Sequence, residues 1–422
     1  MSASTDPPPD SAPEPNVVPG RDWRECPHCG LFCRLPPRLP GFAADCPRCG
    51  QSLWRMRRAR IRLPLAYALA AAMFYVLALT APFLEISAFG KFSLARLATG
   101  PVQLAGQGYS SIAALVFAVT LIAPGAKLGI LITTLGGLNR LPRRFLIWLL
   151  RWYAPLAPWA MIDVYLLGFL VAYTRLTTVA SVHLDTAVYA LIGFMLSMSA
   201  AEANLDTEAL WRALDPAGTQ PLPAGPGRLV SCPDCSLVSH IPEDERCPRC
   251  HAHLTARKPE AIARAWALLL ASAFLYVPAN LLPFMDFTHL ARTQDYTIMH
   301  GVFDLGEAGL WPLALLVFFA SICIPLGKLL VLAYLLIATQ CGWTQNLEAR
   351  TRAYRVIDFI GRWSMIDVFM VSILVALLRF GVLTSVHADT GAVCFASVVV
   401  LTIFAVNAFD PRLMWDSAEE TP

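Results

Sequence analysis

The chain has 422 residues, of which 56% are hydrophobic and 15% are charged, and its formal net charge is +3. This composition excludes an ordinary soluble globular protein and is typical of a polytopic membrane protein. The small positive charge does not indicate nucleic-acid binding, because the arginines gather in short segments between hydrophobic runs.

The sequence of the first 55 residues predicts a tail followed by a metal-binding module. Residues 1–21 are rich in Pro, Ser and Asp, lack a signal peptide and are predicted to be disordered. Two cysteine knuckles follow with 16 residues between them, and a second set in mid-chain has 11 residues between its knuckles. The knuckles are Cys26-Pro-His-Cys29, Cys46-Pro-Arg-Cys49, Cys232-Pro-Asp-Cys235 and Cys247-Pro-Arg-Cys250.

Paired Cys-x-x-Cys knuckles at such spacing bring four thiolates to one tetrahedral zinc ion, as in a zinc ribbon. Disulfides and a redox dithiol are the alternatives. A reducing compartment disfavours the first, and the pairing of the knuckles disfavours the second. Four sulfur ligands leave no open position, so we predict two structural zinc sites and interpret His28 and Cys33 as bystanders.

Four hydrophobic runs follow each pair of knuckles. They cover 63–84, 111–137, 146–174 and 182–204 in the first half, and 263–284, 310–338, 356–378 and 386–408 in the second. Each run is long enough to cross a bilayer as a helix. The sequence therefore predicts an all-α polytopic membrane protein with eight transmembrane helices.

The two halves align as a tandem duplication. An offset of 201 residues relates the second cysteine knuckle and the first two runs of each half, and an offset of 204 relates the later runs. Matched pairs are Cys46 and Cys247, Pro124 and Pro325, Lys127 and Lys328, Asp163 and Asp367, His183 and His387, and Trp211 and Trp415. Such coincidences at rare residue types indicate a repeated unit of one zinc-ribbon-like module and four helices, in parallel orientation.

This repeat predicts the domain organisation. The predicted divisions are 1–21 (disordered tail), 22–55 (first zinc ribbon), 56–212 (first transmembrane unit), 213–227 (linker), 228–256 (second zinc ribbon), 257–416 (second transmembrane unit) and 417–422 (tail). Arginines cluster before the first helix and in the loops after the second and sixth helices. By the positive-inside rule these loops are cytoplasmic, so we expect both termini and both cysteine modules there and the segments 85–108 and 286–308 outside.

Two charged residues lie deep in hydrophobic runs of the second half. Lys328 is the only charge in 310–338, and Asp367 lies in the next run. Lys328 is 11 residues before Thr339 and Asp367 is 12 residues after Arg355, so at about 1.5 Å per residue both lie about 16–18 Å from the same membrane face. A lone charge at that depth is costly, so the sequence predicts a buried Lys328–Asp367 pair.

The pair has two interpretations. It is either a structural ion pair that fixes helix register or part of a proton or ion relay, since intramembrane Lys and Asp residues mark such pathways. The hydroxyls of Ser321, Ser364 and Thr402 lie on matching helix faces or at similar depth, and they favour a relay in the second half.

The first half differs at two of these positions. It keeps Lys127, Asp163 and Thr120, but it has Ala160 and Met198 where the second half has Ser364 and Thr402. We therefore interpret Lys127, Asp163 and Thr120 as structural counterparts of the relay.

Prolines and histidines mark two further features. Pro124 and Pro325 lie three residues before the lysines and predict kinks, where neighbouring groups must satisfy the freed carbonyl oxygens. His183-x-Asp185 and His387-x-Asp389 lie at the outer start of the fourth and eighth helices. Haem or quinone ligation is one interpretation, and helix capping by the aspartate is the one that the following threonine favours.

The combined pattern resembles the paraquat-inducible protein A family of proteobacterial inner-membrane proteins. The residues that carry the resemblance are the duplicated Cys-Pro-x-Cys modules, Pro325-Leu-Gly-Lys328, Trp363-Ser-Met-Ile-Asp-Val368 and Phe409-Asp-Pro-Arg-Leu-Met-Trp-Asp416. The resemblance implies a tetraspanin-like fold for each four-helix unit and a partner that spans the envelope with mammalian-cell-entry domains. It also implies phospholipid movement between the inner and outer membranes, and a proton-shuttling role for Ser321, Lys328, Ser364, Asp367 and Thr402.

The sequence predicts a non-enzyme. It has no ATP-binding P-loop and no identifiable nucleophile–base arrangement, so a proton gradient is the expected energy source for any driven transport. Two alternatives stay open. One is a membrane redox protein with haem or quinone at His183 and His387, and the other is a passive scaffold that anchors the partner.

Overall fold

The computed structural model describes most of the chain. The described residues are 23–34, 43–55, 62–88, 91–176, 181–215, 228–241, 246–289, 292–307, 309–377 and 384–419. The predicted disordered tail, 1–21, lies outside the described residues.

The first cysteine module consists of two antiparallel hairpins. Its strands are β1 (Trp23–Glu25), β2 (Phe32–Arg34), β3 (Ala43–Asp45) and β4 (Ser52–Arg55). β1 pairs with β2 and β3 pairs with β4, and each hairpin carries one Cys-x-x-Cys knuckle at its turn.

Among its described residues, the first transmembrane unit has eight α-helices and three strands. In chain order they are α1 (Arg62–Thr80), β5 (Leu84–Ala88), β6 (Lys91–Ala95), α2 (Thr99–Gly106), α3 (Ser110–Phe117), α4 (Ala123–Gly137), α5 (Arg143–Leu156), α6 (Ile162–Leu176), β7 (Ser181–Leu184), α7 (Thr186–Asn204) and α8 (Thr207–Ala213). A π-helical segment, Ala118–Ile122, joins α3 to α4, and a 3-10 segment, Ala157–Trp159, follows α5.

The second half repeats this order. Its elements are β8 (Arg228–Ser231) and β9 (Val238–Ile241) of the second cysteine module, then α9 (Ala261–Leu281), β10 (Met285–His289), β11 (Arg292–Tyr296), α10 (Ile298–Glu307), α11 (Trp311–Phe318), α12 (Ile324–Gln340), α13 (Leu347–Ile360), α14 (Ile366–Leu377), β12 (Thr384–Ala388), α15 (Thr390–Ala408) and α16 (Leu413–Glu419). A π-helical segment, Phe319–Cys323, joins α11 to α12, and a 3-10 segment, Gly361–Met365, joins α13 to α14.

Eight helical stretches of the described chain are long and apolar enough to cross a membrane, which confirms the predicted number and order. They are Arg62–Thr80, Ser110–Gly137, Arg143–Thr174, Thr186–Asn204, Ala261–Leu281, Trp311–Gln340, Leu347–Ala376 and Thr390–Ala408. The chain is therefore mostly helical and has the architecture of a multi-pass membrane protein.

Each unit also carries a small antiparallel sheet that the sequence analysis missed. The strand orders are β6-β5-β7 in the first unit and β11-β10-β12 in the second. Leu84 pairs with Ala95 and Leu184, and the matched Met285 pairs with Tyr296 and Ala388. The sheets lie at the helix ends opposite to the cysteine modules and consist of short strands, one of which comes from after the third helix. Such distant pairing leaves no local pattern in the sequence.

The third helices of the two units, α6 and α14, pack against each other. A Cβ added to Gly168 would lie 3.0 Å from the carbonyl oxygen of Ile366, so the two backbones approach closely there. The rings of Tyr165 and Phe369 meet edge to face with centroids 5.5 Å apart. Asp163 and Asp367 lie in the first turns of these two helices, next to the contact between the units.

Candidate functional site

The cysteines of each module form a buried four-sulfur cluster. All ligand atoms of a cluster lie within 4.8 Å of one another. The Sγ–Sγ distances include 3.5 Å for Cys26–Cys49 and for Cys29–Cys46, 3.4 Å for Cys232–Cys250 and 3.5 Å for Cys235–Cys247. Sulfurs placed tetrahedrally at about 2.3 Å from a zinc ion lie about 3.8 Å apart, so the clusters fit such an ion. Each set of four cysteines is therefore shaped to hold a metal ion.

Each knuckle ends in a residue with left-handed backbone conformation. Gly30 and Gly50 take this position in the first module, with φ of 74° and 68°, and Ser236 and His251 take it in the second, with φ of 56° and 58°. The backbone N–H of each donates to the carbonyl oxygen of the first cysteine of its knuckle. This turn brings the two thiols of a knuckle to the same side, and glycine adopts it at the lowest cost.

His28 and Cys33 are not among the grouped metal-ligand atoms of the described residues, although the Cys33 thiol lies within hydrogen-bonding reach of Cys46. The His28 ring packs edge to face on Tyr354 with centroids 5.8 Å apart. Burial, with a smaller contribution from Arg355, lowers the pKa of His28 to about 4, so its imidazole is neutral near pH 7. The Cys33 thiol lies 3.8 Å from the carbonyl oxygen of Leu31.

The first cysteine module packs on the second transmembrane unit. Its cysteines, with Leu53 and Trp54, share a core cluster with residues of α9, α12, α13, α15 and α16. Arg355 of α13 donates to the carbonyl oxygen of Cys49 at 3.1 Å and to the side chain of Gln51 at 3.2 Å. The Arg48 guanidinium lies 4.4 Å from the ring centroid of Trp415.

The second module packs on the first unit by matching contacts. Arg151 of α5, which corresponds to Arg355, pairs with Asp234 at 2.7 Å. Arg249, which corresponds to Arg48, pairs with Asp215 at 3.4 Å. The cysteine modules are therefore exchanged between the units: each sits on the helices of the other half of the chain.

A buried network of charges joins the first module to the C-terminal end of the chain. Glu25 has a side chain that is only 2% exposed, and it accepts hydrogen bonds from Arg257 at 3.1 Å and Arg412 at 3.0 Å. Arg257 also makes two bonds to Asp416, which raises its pKa, and Arg412 makes two to Asp410. Bidentate pairs of this kind fix orientation as well as adding energy.

In the second unit, the five residues predicted to form the relay are all buried. The relative exposures are 0% for Ser321, 1% for Ser364 and 2% each for Lys328, Asp367 and Thr402. The segments that carry them touch one another: the 3-10 segment Gly361–Met365 contacts α12, α15 and the π-helical segment Phe319–Cys323. The segments that carry the five residues therefore pack together, and the five residues are here called the second-unit cluster.

Lys328 contacts the 3-10 segment directly. Its Nζ atom lies 3.3 Å from the carbonyl oxygen of Gly361 and 3.5 Å from the hydroxyl oxygen of Ser364. The Ser364 hydroxyl donates to the same Gly361 carbonyl at 2.9 Å. Asp367 follows Ser364 by three residues, in the first turn of α14. A direct Lys328–Asp367 pair stays a prediction.

Ser321 and Thr120 lie in the two π-helical segments. Their hydroxyls donate to the carbonyl oxygens of Val317 and Val116, at 2.6 Å and 2.7 Å respectively. Pro325 and Pro124 follow each segment, and a proline cannot donate the usual helical hydrogen bond. Tyrosine hydroxyls satisfy nearby carbonyl oxygens: Tyr75 donates to Leu121 at 2.5 Å and Tyr276 to Ile322 at 3.3 Å. A π-helical segment therefore precedes each of the two prolines, and the predicted kinks stay predictions.

Thr402, the fifth residue of the second-unit cluster, lies in α15. Its hydroxyl donates to the carbonyl oxygen of Val399 in the same helix at 2.8 Å. That bond leaves the oxygen lone pairs as acceptors, and α15 packs against the 3-10 segment that carries Ser364.

The first unit holds its lysine differently. Lys127 forms an ion pair with Glu202 of α7 at 2.5 Å, a partner that the sequence analysis did not single out. Adding 204 to 202 gives 406, where the second half has Val406, so the duplication does not point to it. The available signal was that Glu202 is the only charged residue of α7. Asp163 lines the same cleft as Lys127 and Glu202.

That cleft, here called the first-unit cleft, has a volume of about 260 Å³. Its lining residues are Pro124, Lys127, Ala157, Ala160, Ile162, Asp163, Phe194, Met195, Met198, Ser199, Glu202 and, from the second unit, Arg362. Charges of both signs therefore lie beside apolar side chains at the contact between the two units.

The aspartates of the His-x-Asp pairs cap helices. Asp185 accepts a hydrogen bond from the backbone of Thr186 at 2.6 Å, and Asp389 from Thr390 at 2.5 Å, which confirms the capping interpretation. His183 is exposed on β7. The side chain of His387 lies outside the described part of the structure.

Sequence comparison relates this architecture to known proteins. The profile of the family described as paraquat-inducible protein A matches residues 61–215 and 262–419, one match for each transmembrane unit. Intermembrane transport protein PqiA from Escherichia coli (strain K12) is 34% identical over 408 residues, which cover 94% of this chain and 96% of that protein. Lipophilic envelope-spanning tunnel protein A from the same organism is 30% identical over 408 residues, which cover 95% and 93%.

No solved structure matches the chain, so the tetraspanin-like arrangement of each unit stays a prediction. The family match spans both transmembrane units, and the similarity to the two relatives extends over nearly the whole length of each. The chain belongs to the paraquat-inducible protein A family.

Proposed function

We propose that the chain is the inner-membrane component of a system that moves lipids between the inner and outer membranes, coupled to proton transfer through the second-unit cluster. The names of the two relatives support a role in intermembrane transport. The family resemblance supports phospholipids as cargo and an envelope-spanning protein of mammalian-cell-entry domains as partner. The arginine distribution supports cytoplasmic cysteine modules and termini.

The observation that carries the proposal is the position of Lys328. The residue is 2% exposed, and its ammonium contacts the Gly361 carbonyl and the Ser364 hydroxyl. A hydroxyl both donates and accepts hydrogen bonds, so Ser364 is suited to pass a proton between an ammonium group and the carboxylate of Asp367 one turn further on. Ionisable residues at such depth in membrane helices are costly and mark proton or ion pathways.

The proposed mechanism uses the position of Asp367 in the first turn of α14. Protonation of its carboxylate removes the negative charge at the start of α14, which weakens the attraction for Lys328. Because α14 packs against α6 of the first unit, a shift of α14 alters the contact between the units. We propose that this movement opens or closes a lipid path toward the partner.

The metal ions have a structural role in this proposal. Zinc is the ion that four buried thiolates suit best, and four sulfur ligands leave it no position for a substrate. The metal would link the two knuckles of each module, and each module would in turn stabilise the helices against which it packs.

Complementation in cells that lack the protein tests the proposal. The variants are Lys328→Ala and Asp367→Asn, beside the matched controls Lys127→Ala and Asp163→Asn, with membrane levels checked. We expect the second-unit variants to lose lipid transport at normal abundance, with a smaller effect of the first-unit variants. Full activity of all four would reject the relay and favour a passive scaffold that anchors the partner.

A further inference from the structure

The first-unit cleft contains charges that the proposed relay does not use. Two cationic side chains, Lys127 and Arg362, and two carboxylates, Asp163 and Glu202, line a volume of about 260 Å³. A cavity needs about 15 Å³ to hold one water molecule, so this cleft has room for a cluster of waters. Polar partners for such waters are present on several sides of the cleft.

Glu202 lies at the exposed edge of the cleft. Its side chain is 38% exposed, whereas the side chain of Lys127, with which it pairs, is 8% exposed. Glu202 lies in the last turn of α7, at the end that leads through α8 toward the second cysteine module. Charged residues in membrane helices nearly always face a bundle interior or a water-filled cavity. The exposed carboxylate therefore indicates water entry from the side of the cysteine modules.

The groups that face Lys127 come from several packed elements. Glu202 comes from α7, Asp163 from α6 and Arg362 from the second unit. The ring of Tyr153 in α5 also faces it, with the centroid 5.7 Å from Nζ. With both carboxylates ionised, the cleft lining holds two charges of each sign, and Asp358 of α13, outside this lining, also interacts electrostatically with Arg362.

Arg362 connects this cleft to the second-unit cluster. It lies in the 3-10 segment Gly361–Met365, directly after Gly361 and two residues before Ser364. Those two neighbours are the residues that contact Lys328. One short segment therefore has the first-unit cleft on one side and the buried lysine of the second unit on the other.

We propose that the first-unit cleft is a second, hydrated proton-accepting site, in which Glu202 and Asp163 exchange protons with water from the side of the cysteine modules. The consequence for transport rests on the proposed function, because the cleft acts on the relay through Arg362. A proton that passes from water to Glu202 or Asp163 leaves two cations facing one carboxylate. The resulting repulsion moves Arg362 and its segment, and this alters the contacts of Lys328.

Thiol labelling tests the hydration. Ser199→Cys lies in the cleft, and Leu196→Cys is the control one turn away, where the leucine is 61% exposed on the apolar outer face. A charged methanethiosulfonate reagent is applied to membrane vesicles, and labelling is read at the engineered position by peptide mass. We expect labelling of the S199C variant to be at least about tenfold faster than labelling of L196C, because a thiolate forms in water. Equal rates would overturn the hydrated site.

Hydrogen–deuterium exchange tests the coupling to the second unit. At fixed pH, Glu202→Gln removes the carboxylate charge and should raise exchange in the peptide that contains 361–365, whereas Glu202→Asp should leave it unchanged. The double variant Glu202→Gln, Arg362→Gln should return exchange toward that of Arg362→Gln alone. If Glu202→Gln raises exchange equally with and without Arg362, the coupling is refuted.

These readouts do not depend on transport. If Lys328→Ala and Asp367→Asn keep full transport while Ser199→Cys is labelled and the exchange pattern holds, the proton relay fails and the hydrated cleft stands. If the transport variants fail as expected while Ser199→Cys behaves like Leu196→Cys, the relay stands and the cleft proposal is rejected.

Discussion

Arg355, in the seventh membrane helix, donates a hydrogen bond to the carbonyl oxygen of Cys49 at 3.1 Å, although 306 residues separate them. This contact seats the first cysteine module on the second transmembrane unit. The matched contact of Arg151 with Asp234 at 2.7 Å seats the second module on the first unit. Each four-cysteine module therefore packs against helices of the opposite half, and this arrangement has testable consequences.

Loss of one metal site should loosen the opposite unit. Cys49→Ser and Cys250→Ser each remove one ligand of a different cluster, so each should lower the bound metal by one ion per chain. We expect Cys49→Ser to raise hydrogen–deuterium exchange in α13 and α16, and Cys250→Ser to raise it in α5 and α8. Each variant serves as the control for the other. If each instead loosens the helices that follow its own module in sequence, the exchanged packing is wrong.

The charge network at Glu25 should contribute strongly to stability. Glu25→Gln leaves Arg257 and Arg412 facing a neutral group at a site where the glutamate is 2% exposed. Removing one partner of a buried charge network costs about 3 kcal/mol, so the thermal unfolding temperature in detergent should fall by several degrees. Arg264→Gln is a suitable control, because Arg264 pairs with Glu260 on an exposed surface. Similar melting of both variants would contradict a role for the network.

The Ser364 hydroxyl should be required for transport. Ser364→Ala removes the group that lies 3.5 Å from the Lys328 ammonium, while it retains a side chain that the first unit uses at the matched position, Ala160. We expect lipid transport to fall about tenfold or more, as for loss of a proton-transferring group, at near-normal membrane abundance. Ser364→Thr keeps a hydroxyl and should retain most of the activity. Equal activity of the Ala and Thr variants would remove Ser364 from the relay.

Close packing at the contact between the units should tolerate no extra methyl group at Gly100. A Cβ there would lie 2.6 Å from the hydroxyl oxygen and 2.7 Å from the carbonyl oxygen of Ser372 in α14. Gly100→Ala should therefore destabilise the fold by about 1–3 kcal/mol, measured as a lower thermal unfolding temperature. Gly129→Ala is the control, because nothing lies within 4 Å of the added atom. An unchanged Gly100→Ala variant would show that the interface can relax.

Much of this architecture is predictable from local sequence. The spacing of the cysteines, as in Cys26-x-x-Cys29, identifies each four-cysteine cluster, because pairs of ligands two residues apart suit a tetrahedrally coordinated ion. Eight apolar runs give eight helices because backbone polar groups must be satisfied inside a membrane. The burial of Lys328 and Asp367 follows from their place in those runs.

Other features depend on contacts between distant parts of the chain. The pairing of Lys127 with Glu202 joins α4 to α7, and nothing in either helix alone selects that partner. The sheets at the opposite ends of the helices from the cysteine modules bring together strands from before the second helix and after the third. The packing of each module on the opposite unit involves contacts between distant residues, such as that of Arg48 with Trp415, which sequence order does not indicate.

In the proposed mechanism, protons that pass through the second-unit cluster drive lipid movement. The most direct measurement is lipid transfer by the chain reconstituted in liposomes with its partner, under an imposed pH gradient and after a protonophore collapses it. Proton coupling predicts that collapse reduces wild-type transfer to the level of Asp367→Asn, which should itself be insensitive to the gradient, whereas Asp163→Asn should keep part of the response because the second-unit cluster is intact. Wild-type transfer that is the same with and without the gradient would contradict proton-coupled lipid transport.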